Sequence, residues 1–332
     1  MTAPRRAART ALAVLALLIP PALAACGDTS TSVAAGETRT VVDVEGTEME
    51  VPVDPQRVVT LSEPTLDGVL ALGVTPVGTV SGRGQSSVPS YLADEAGEIP
   101  LLGGVAAPNY EKIANADPDL ILVDGTSINN NPEAIGVLRK IAPTFYTGYA
   151  GGDWRANFEL VAEALNEKEP ATAVLAEYDA KVAEAKKDLT SYADDTFSVV
   201  RWQGSSAAMI LKELPAGMAL SDLGLQRPGP QDKRGRGHSE PVSLENIATI
   251  DADYMFFGTL GGSSNANPDA GGAADLTGAQ QALAQAEEVP GFSTLAAYRT
   301  GHIYPVDGSL WTSTGGPILM SRIVDNVTGI LA

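Results

Sequence analysis

Apolar positions along the chain follow two periods, and the switches between them outline the elements. In "TRTVVDVEGTEMEVP", Thr38 to Pro52, apolar and polar residues alternate on both sides of Glu45-Gly46, which predicts a β-hairpin. "RVVTL", Arg57 to Leu61, is a short apolar run and predicts a buried strand. "SEPTLDGVLALG" then takes helical spacing, with Ser62 suited to the N-cap, Pro64 to the first turn and Gly73 to the C-terminal end. "TPVGTV" is the next short strand, and strand, helix, strand at this spacing predicts a parallel α/β sheet. Later, "FSVVRWQG" and "GHIYPVD" read as strands and "GGPILMSRIVDNVTGIL" as a closing helix. "SNANPDAGGAADLTGAQQ", Ser264 to Gln281, is polar and Gly-rich, a surface insertion leading into a weak helix.

One pattern occurs twice. "YEKIANADPDLILVD", Tyr110 to Asp124, aligns without a gap on "LENIATIDADYMFFG", Leu244 to Gly258. Glu111 falls on Glu245, Ile113 on Ile247, Asp117 on Asp251 and Asp119 on Asp253, an offset of 134 residues. That offset is too long for a solenoid repeat and suits a domain. Asn109 and Ser243 each stand two residues before the glutamate as capping residues. Each copy therefore predicts a loop, a capped helix with Glu at its second position, and a core strand.

Between the copies, Asp153 to Ala193 places apolar residues at helical spacing: Phe158, Val161, Ala162 and Leu165, then Ala173, Val174, Tyr178, Val182 and Ala185. Pro170 is expected to break or kink this stretch after Glu169. The part beyond it, Ala171 to Tyr192, would reach roughly 33 Å as a helix, a rigid spine between two lobes.

Composition changes the picture at the N-terminus. A basic "MTAPRRAART" precedes the short apolar "ALAVLALLIPPALAA", and Cys26 follows. This reads as a secretory signal and not a spanning helix. "LAAC", Leu23 to Cys26, is a lipobox pattern in which Cys26, the chain's one cysteine, becomes a diacylglyceryl-modified first residue. The organisation expected is therefore a signal peptide over 1–25, a lipidated tether over 26–37, an N-terminal lobe over 38–152, a spine over 153–193 and a C-terminal lobe over 194–332. Loss of Arg5, Arg6 and Arg9 with the signal takes the formal charge from −19 to −22. So acidic a body excludes nucleic acid as the main partner.

The ordered segments "VPVDPQRVVTLSEPTLDGVLALGVTPVGT", "IANADPDLILVD", "IAPT", "NFELVAEALNEKEPATAVL", "PVSLENIATIDADYMFFG" and "GHIYPVDGSLWTSTGGP" span nearly all of the mature chain. Together they resemble the substrate-binding lipoproteins of bacterial iron-siderophore ABC importers, whose relatives also carry haem and cobalamin. The resemblance implies an α/β fold of two similar lobes, each a mainly parallel sheet with flanking helices. One long helix joins them, and ligand sits in the cleft between. It implies a ferric siderophore as ligand, with haem or cobalamin as the alternative, and no intrinsic cofactor. It also implies that Glu111 and Glu245, one on each lobe, dock onto arginines of the permease, and that the protein, a monomer, is held to the membrane through Cys26. A glutamate near a helix N-terminus also suits the macrodipole, which supplies about 0.3–1 kcal/mol without any partner.

The loops before the paired helices are expected to face the cleft, as loops at strand C-terminal ends do in α/β folds. In the second lobe that loop is "QDKRGRGH", whose Lys233, Arg234, Arg236 and His238 form a positive cluster suited to an anionic chelate. Arg201 and Trp202, at the end of a buried strand, offer a cation beside an aromatic plane. Arg83 and Trp311 complete the ligand candidates. His238 stands where some catecholate binders of the resembling family complete iron coordination. No expected Tyr ligand accompanies it, and no cluster of His, Cys and carboxylates forms a bare-metal pattern. An esterase acting on a siderophore is a weaker alternative: G-x-S-x-G and H-E-x-x-H are both missing, and only His238 and His302 could act as base. A purely structural lipoprotein is the remaining one.

Overall fold

The computed structural model describes residues 36–127, 131–235, 239–262 and 272–332. Their first element is the expected hairpin: β1 (Thr38–Val42) pairs antiparallel with β2 (Glu48–Pro52), and Gly46 supplies the left-handed turn residue at φ 80°. Asp43 fixes this turn by accepting Glu45 N and Thr47 N, each at 2.9 Å. The N-terminal lobe continues with β3 (Val58–Thr60), α1 (Glu63–Ala71), β4 (Thr79–Ser81), α2 (Ala93–Ala96), β5 (Leu101–Gly104), β6 (Ala107–Pro108), α3 (Tyr110–Asn115), β7 (Leu120–Val123), α4 (Pro132–Leu138) and β8 (Thr144–Tyr146). A parallel bridge between Val59 and Gly78 joins two three-stranded pieces into the order β6-β5-β4-β3-β7-β8, parallel except at β5–β6. Ser62 caps α1 as expected. Its hydroxyl accepts Thr65 N, and Thr65 Oγ1 accepts Ser62 N.

The spine is two helices, α5 (Trp154–Leu165) and α6 (Lys168–Asp188). The break falls at Asn166, left-handed at φ 63°, and not at Pro170 as the sequence suggested. Pro170 instead lies in the first turn of α6, where a missing N–H leaves no hydrogen bond unmade. At ~1.5 Å per residue the 21 residues of α6 extend 31 Å or so.

The C-terminal lobe holds β9 (Phe197–Gln203), β10 (Ser206–Ile210), α7 (Pro215–Asp222), β11 (Ser239–Val242), β12 (Tyr254–Gly258), α8 (Leu276–Glu287), α9 (Ala296–Thr300), β13 (Ile303–Pro305), α10 (Gly308–Trp311) and α11 (Pro317–Leu331). Its order is β11-β10-β9-β12-β13. The β9-β12-β13 half is parallel, while β10 and β11 add an antiparallel half, so this sheet is mixed where the first is almost wholly parallel.

The repeated sequence does the same work in both lobes at one position in particular. Asp119 accepts Gln56 N and Arg57 N at 2.7 and 2.9 Å, fixing the start of β3 beside β7. Its counterpart Asp253 accepts Thr196 N and Oγ1 at 2.8 and 2.7 Å, fixing the start of β9 beside β12. The caps differ. Asn109 accepts Lys112 N at 2.9 Å, but Ser243 makes no side-chain cap bond, and Leu244–Ile250 is a 3-10 segment kinked at Asn246, not the expected capped α-helix.

The lobes are not separate cores. One apolar cluster runs from Leu66 and Leu92 of the first lobe through Tyr178 and Val182 of the spine to Phe256 and Trp311 of the second. Across the same seam, Asp67 of α1 accepts the Ile318 and Leu319 N–H groups of α11, each at 2.9 Å. The C-terminal helix is thus capped by a side chain of the opposite lobe.

Candidate functional site

The C-terminal ends of the parallel strands of both sheets turn toward each other, which is where α/β sheets place their ligand loops. After β4 comes Gly82-Arg83-Gly84, after β7 Asp124 to Ser127, after β12 Thr259 to Gly261, and after β13 the segment leading to Thr312. Pro64, Asp124 and Trp154 meet Glu213, Pro215 and Thr314 around a small pocket between the lobes.

Two arginines, one from each lobe, lie close enough for their charges to interact. Arg201 lies on β9; its Nη2 donates to Ser239 Oγ at 2.9 Å and its Nη1 to the Thr312 carbonyl at 3.4 Å. Arg83 is exposed and its Nη2 reaches the Thr126 carbonyl at 3.4 Å. Neither makes an ion pair among the described residues. Burial, and after it the facing charge of Arg83, pulls the Arg201 guanidinium pKa below its ordinary value. Two guanidiniums that are not ion-paired among the described residues keep their donors open to an anion.

Asp124 is buried beside them. Its Oδ1 accepts Thr126 N, Thr126 Oγ1 and Ser127 N, and burial raises its pKa to about 6 against those bonds. Glu213, also buried, lines the same pocket, and the buried Glu63 adds its charge beside Asp124.

Several sequence expectations change here. Trp202 follows Arg201 on a strand, and successive strand residues point to opposite faces. The two side chains therefore leave the strand on opposite faces, and Trp202, fully buried, packs on Phe257 and Phe292. Trp311 is fully buried as well, stacked on Phe256 at 4.1 Å, with Nε1 donating to Asn326 at 2.9 Å. Neither ring presents a face to ligand; the tryptophan beside the pocket is Trp154. The basic loop is partly neutralised, because Lys233 pairs with Glu240 at 2.5 Å, leaving Arg234 exposed. Arg236, His238 and Cys26 lie outside the described residues. Among the described residues no three metal-ligating side chains come together. Glu111 and Glu245 are both exposed, each the second residue of a helical segment leading into a parallel strand. Asp124, Glu63 and Glu213 were not singled out in the sequence. The one signal for Glu63 was its place between the Ser62 cap and Pro64.

Residues 58–310 match the sequence model of the periplasmic binding protein family. The chain belongs to that family. Among periplasmic binding proteins it is 29% identical to the probable siderophore-binding lipoprotein YfiY of Bacillus subtilis, over 92% of each chain. It is 26% identical to the petrobactin-binding protein YclQ of the same organism, over 96% of this chain and 97% of the other. The solved structure of Staphylococcus aureus SirA complexed with staphyloferrin B superposes with a TM-score of 0.74 at 26% identity, covering 89% of this chain and 98% of that one.

Proposed function

We propose that this protein captures an anionic ferric siderophore outside the cytoplasmic membrane and delivers it to the permease of an ABC importer. The observation that carries the reading is the Arg83–Arg201 pair: one cation from each lobe, neither of them in an ion pair among the described residues, in a chain of formal charge −19. An anionic chelate seated between them accepts charge-assisted hydrogen bonds from both lobes, each contributing about 1.5–3 kcal/mol. Relatives named for siderophores, petrobactin and staphyloferrin B support iron chelates as the cargo class. Lipid on Cys26 holds the protein at the membrane, and Glu111 and Glu245 present one charge per lobe to the permease. The test is quenching of intrinsic tryptophan fluorescence, with Trp154 as reporter beside the pocket, against ferric citrate, ferric catecholates, ferric hydroxamates, haem and cobalamin. Saturable binding of an anionic ferric chelate, weakened by added salt, is the expected result. Preference for haem or cobalamin would reassign the cargo, and binding of none would overturn the reading.

A further inference from the structure

Asp124 uses its two carboxyl oxygens unequally. Oδ1 accepts Thr126 Oγ1 at 2.6 Å, Thr126 N at 3.0 Å and Ser127 N at 3.3 Å. Oδ2 is buried and has no hydrogen-bond partner among the described residues. A buried carboxylate oxygen without a partner is costly in its charged form and far less so once it carries a proton. Asp124 also lines the small pocket between the lobes, opposite Glu213, Thr314 and Gly315. Arg83 reaches the same turn from the other side, through the Thr126 carbonyl.

The surroundings of Asp124 are acidic. Glu63 of α1 is 3% exposed; its Oε1 accepts Arg83 N at 2.7 Å, while its Oε2 is buried without a partner. Burial raises the Asp124 pKa to about 6, the Thr126 bonds oppose this, the Glu63 charge adds to it and the Ser62 hydroxyl opposes it least. Glu213, just ahead of α7, and Tyr149 stand around the same pocket. The Tyr146 phenol of β8 is held above its ordinary pKa by burial and then by the Asp124 charge. An anion seated nearby brings further negative charge and displaces water, and both effects favour the neutral acid.

We propose that capture of an anionic chelate at the Arg83–Arg201 pair places one proton on Asp124, so that the site holds anions more tightly in acid than in alkali. The inference rests on the proposed function. The proton comes from solvent and forms an O–H bond at Oδ2; no other bond changes. Because binding raises the proton affinity of Asp124, the gain in chelate affinity is complete below the pKa of the empty site and is lost as pH rises through that of the loaded one.

The experiment titrates ferric citrate and a neutral ferric trihydroxamate between pH 5.5 and 8 on wild type and on Asp124→Asn, whose amide stands in for the neutral acid. A ferric catecholate replaces ferric citrate where citrate is not bound. Protonation of the chelate itself is common to both proteins and cancels in their ratio. The two proteins should bind the anionic chelate equally at pH 5.5, and Asp124→Asn should bind it about fivefold or more tightly than wild type at pH 8. The neutral chelate should show less than about a twofold change in that ratio. Asp67→Asn, at the seam between the lobes, should keep the wild-type pH dependence although Asp67 titrates in the same range. Calorimetry of wild type in phosphate and in Tris, corrected for the free chelate, should show net proton uptake, and it serves alone where Asp124→Asn does not fold. Weaker binding by Asp124→Asn at pH 8 would mean that the ionised carboxylate accepts a donor from the ligand, and would overturn the inference. So would a pH dependence retained in Asp124→Asn, lost in Asp67→Asn or equal for both chelates, or a wild type that binds without taking up a proton. A wild type that binds no anionic ferric chelate would overturn the proposed function and this inference with it.

Discussion

Arg201 and Arg139 separate the two uses of a cation in this chain. On the proposed function Arg201 meets the ligand, and Arg201→Ala is expected to weaken an anionic ferric chelate tenfold to a hundredfold, the equivalent of about 1.5–3 kcal/mol. Arg139 had the look of a plain exterior residue in "PEAIGVLRKIAP", but it pairs at 3.2 Å with Asp43, whose side chain is fully buried in the hairpin turn. Arg139→Ala should therefore leave affinity unchanged and lower stability by about 1 kcal/mol, since the arginine itself is well solvated. Chelate titration and urea unfolding on the same two variants check both halves. Asp67 gives a pH effect of known sign. Burial raises its pKa from 3.8 to about 6, against the N–H groups of Gly316, Ile318 and Leu319. A raised folded-state pKa stabilises the fold in acid, fully below the unfolded value, and that stabilisation is lost as pH rises through about 6. Wild type should thus lose stability between pH 4 and 7 relative to Asp67→Asn. The difference in slope should approach about 1.4 kcal/mol per pH unit at most, read from urea midpoints at four pH values.

At the scale of elements, Asn166 ends α5 in the left-handed region, which disfavours any side chain with a branched Cβ. Asn166→Val should destabilise by about 1–2 kcal/mol and Asn166→Gly by less than ~0.5 kcal/mol, as urea unfolding will report. This junction also shows what the sequence could and could not tell. The hairpin, α1 and α11 were legible because period, cap and turn residues agree there. The break in the spine was not, because proline is disruptive inside a helix and harmless in its first turn, and composition does not say which turn it occupies. Trp202 was misplaced for a related reason. Adjacent residues sound like one site in a string of letters, yet on a strand they stand on opposite faces. Glu63 was illegible because an acidic residue in a first helical turn has a sufficient local reason in the helix dipole. Its longer bond, to a turn twenty residues on, exists only in the folded sheet.

At the scale of the whole molecule, the proposed docking glutamates can be tested apart from the cleft. Glu111→Arg with Glu245→Arg should abolish uptake while the chelate dissociation constant stays within about twofold, because like charges across an interface cost several kcal/mol. Radiolabelled iron uptake in cells carrying the double variant decides it; normal uptake would leave the repeat as a folding motif only. Cys26→Ala should release the protein from membranes or leave it unprocessed with affinity intact, as fractionation and acyl labelling will show. The continuous apolar cluster through both lobes and the spine has its own bearing on traffic at the permease. A shared interior resists swinging the lobes apart, so on the proposed docking role Glu111 and Glu245 are expected to keep nearly the same separation whether or not cargo is present. On the proposed docking role, empty and loaded proteins then compete for the same seat. Raising the amount of binding protein beyond the supply of chelate would slow iron entry, and the rate of transport would follow the ratio of loaded to empty copies, not their total number.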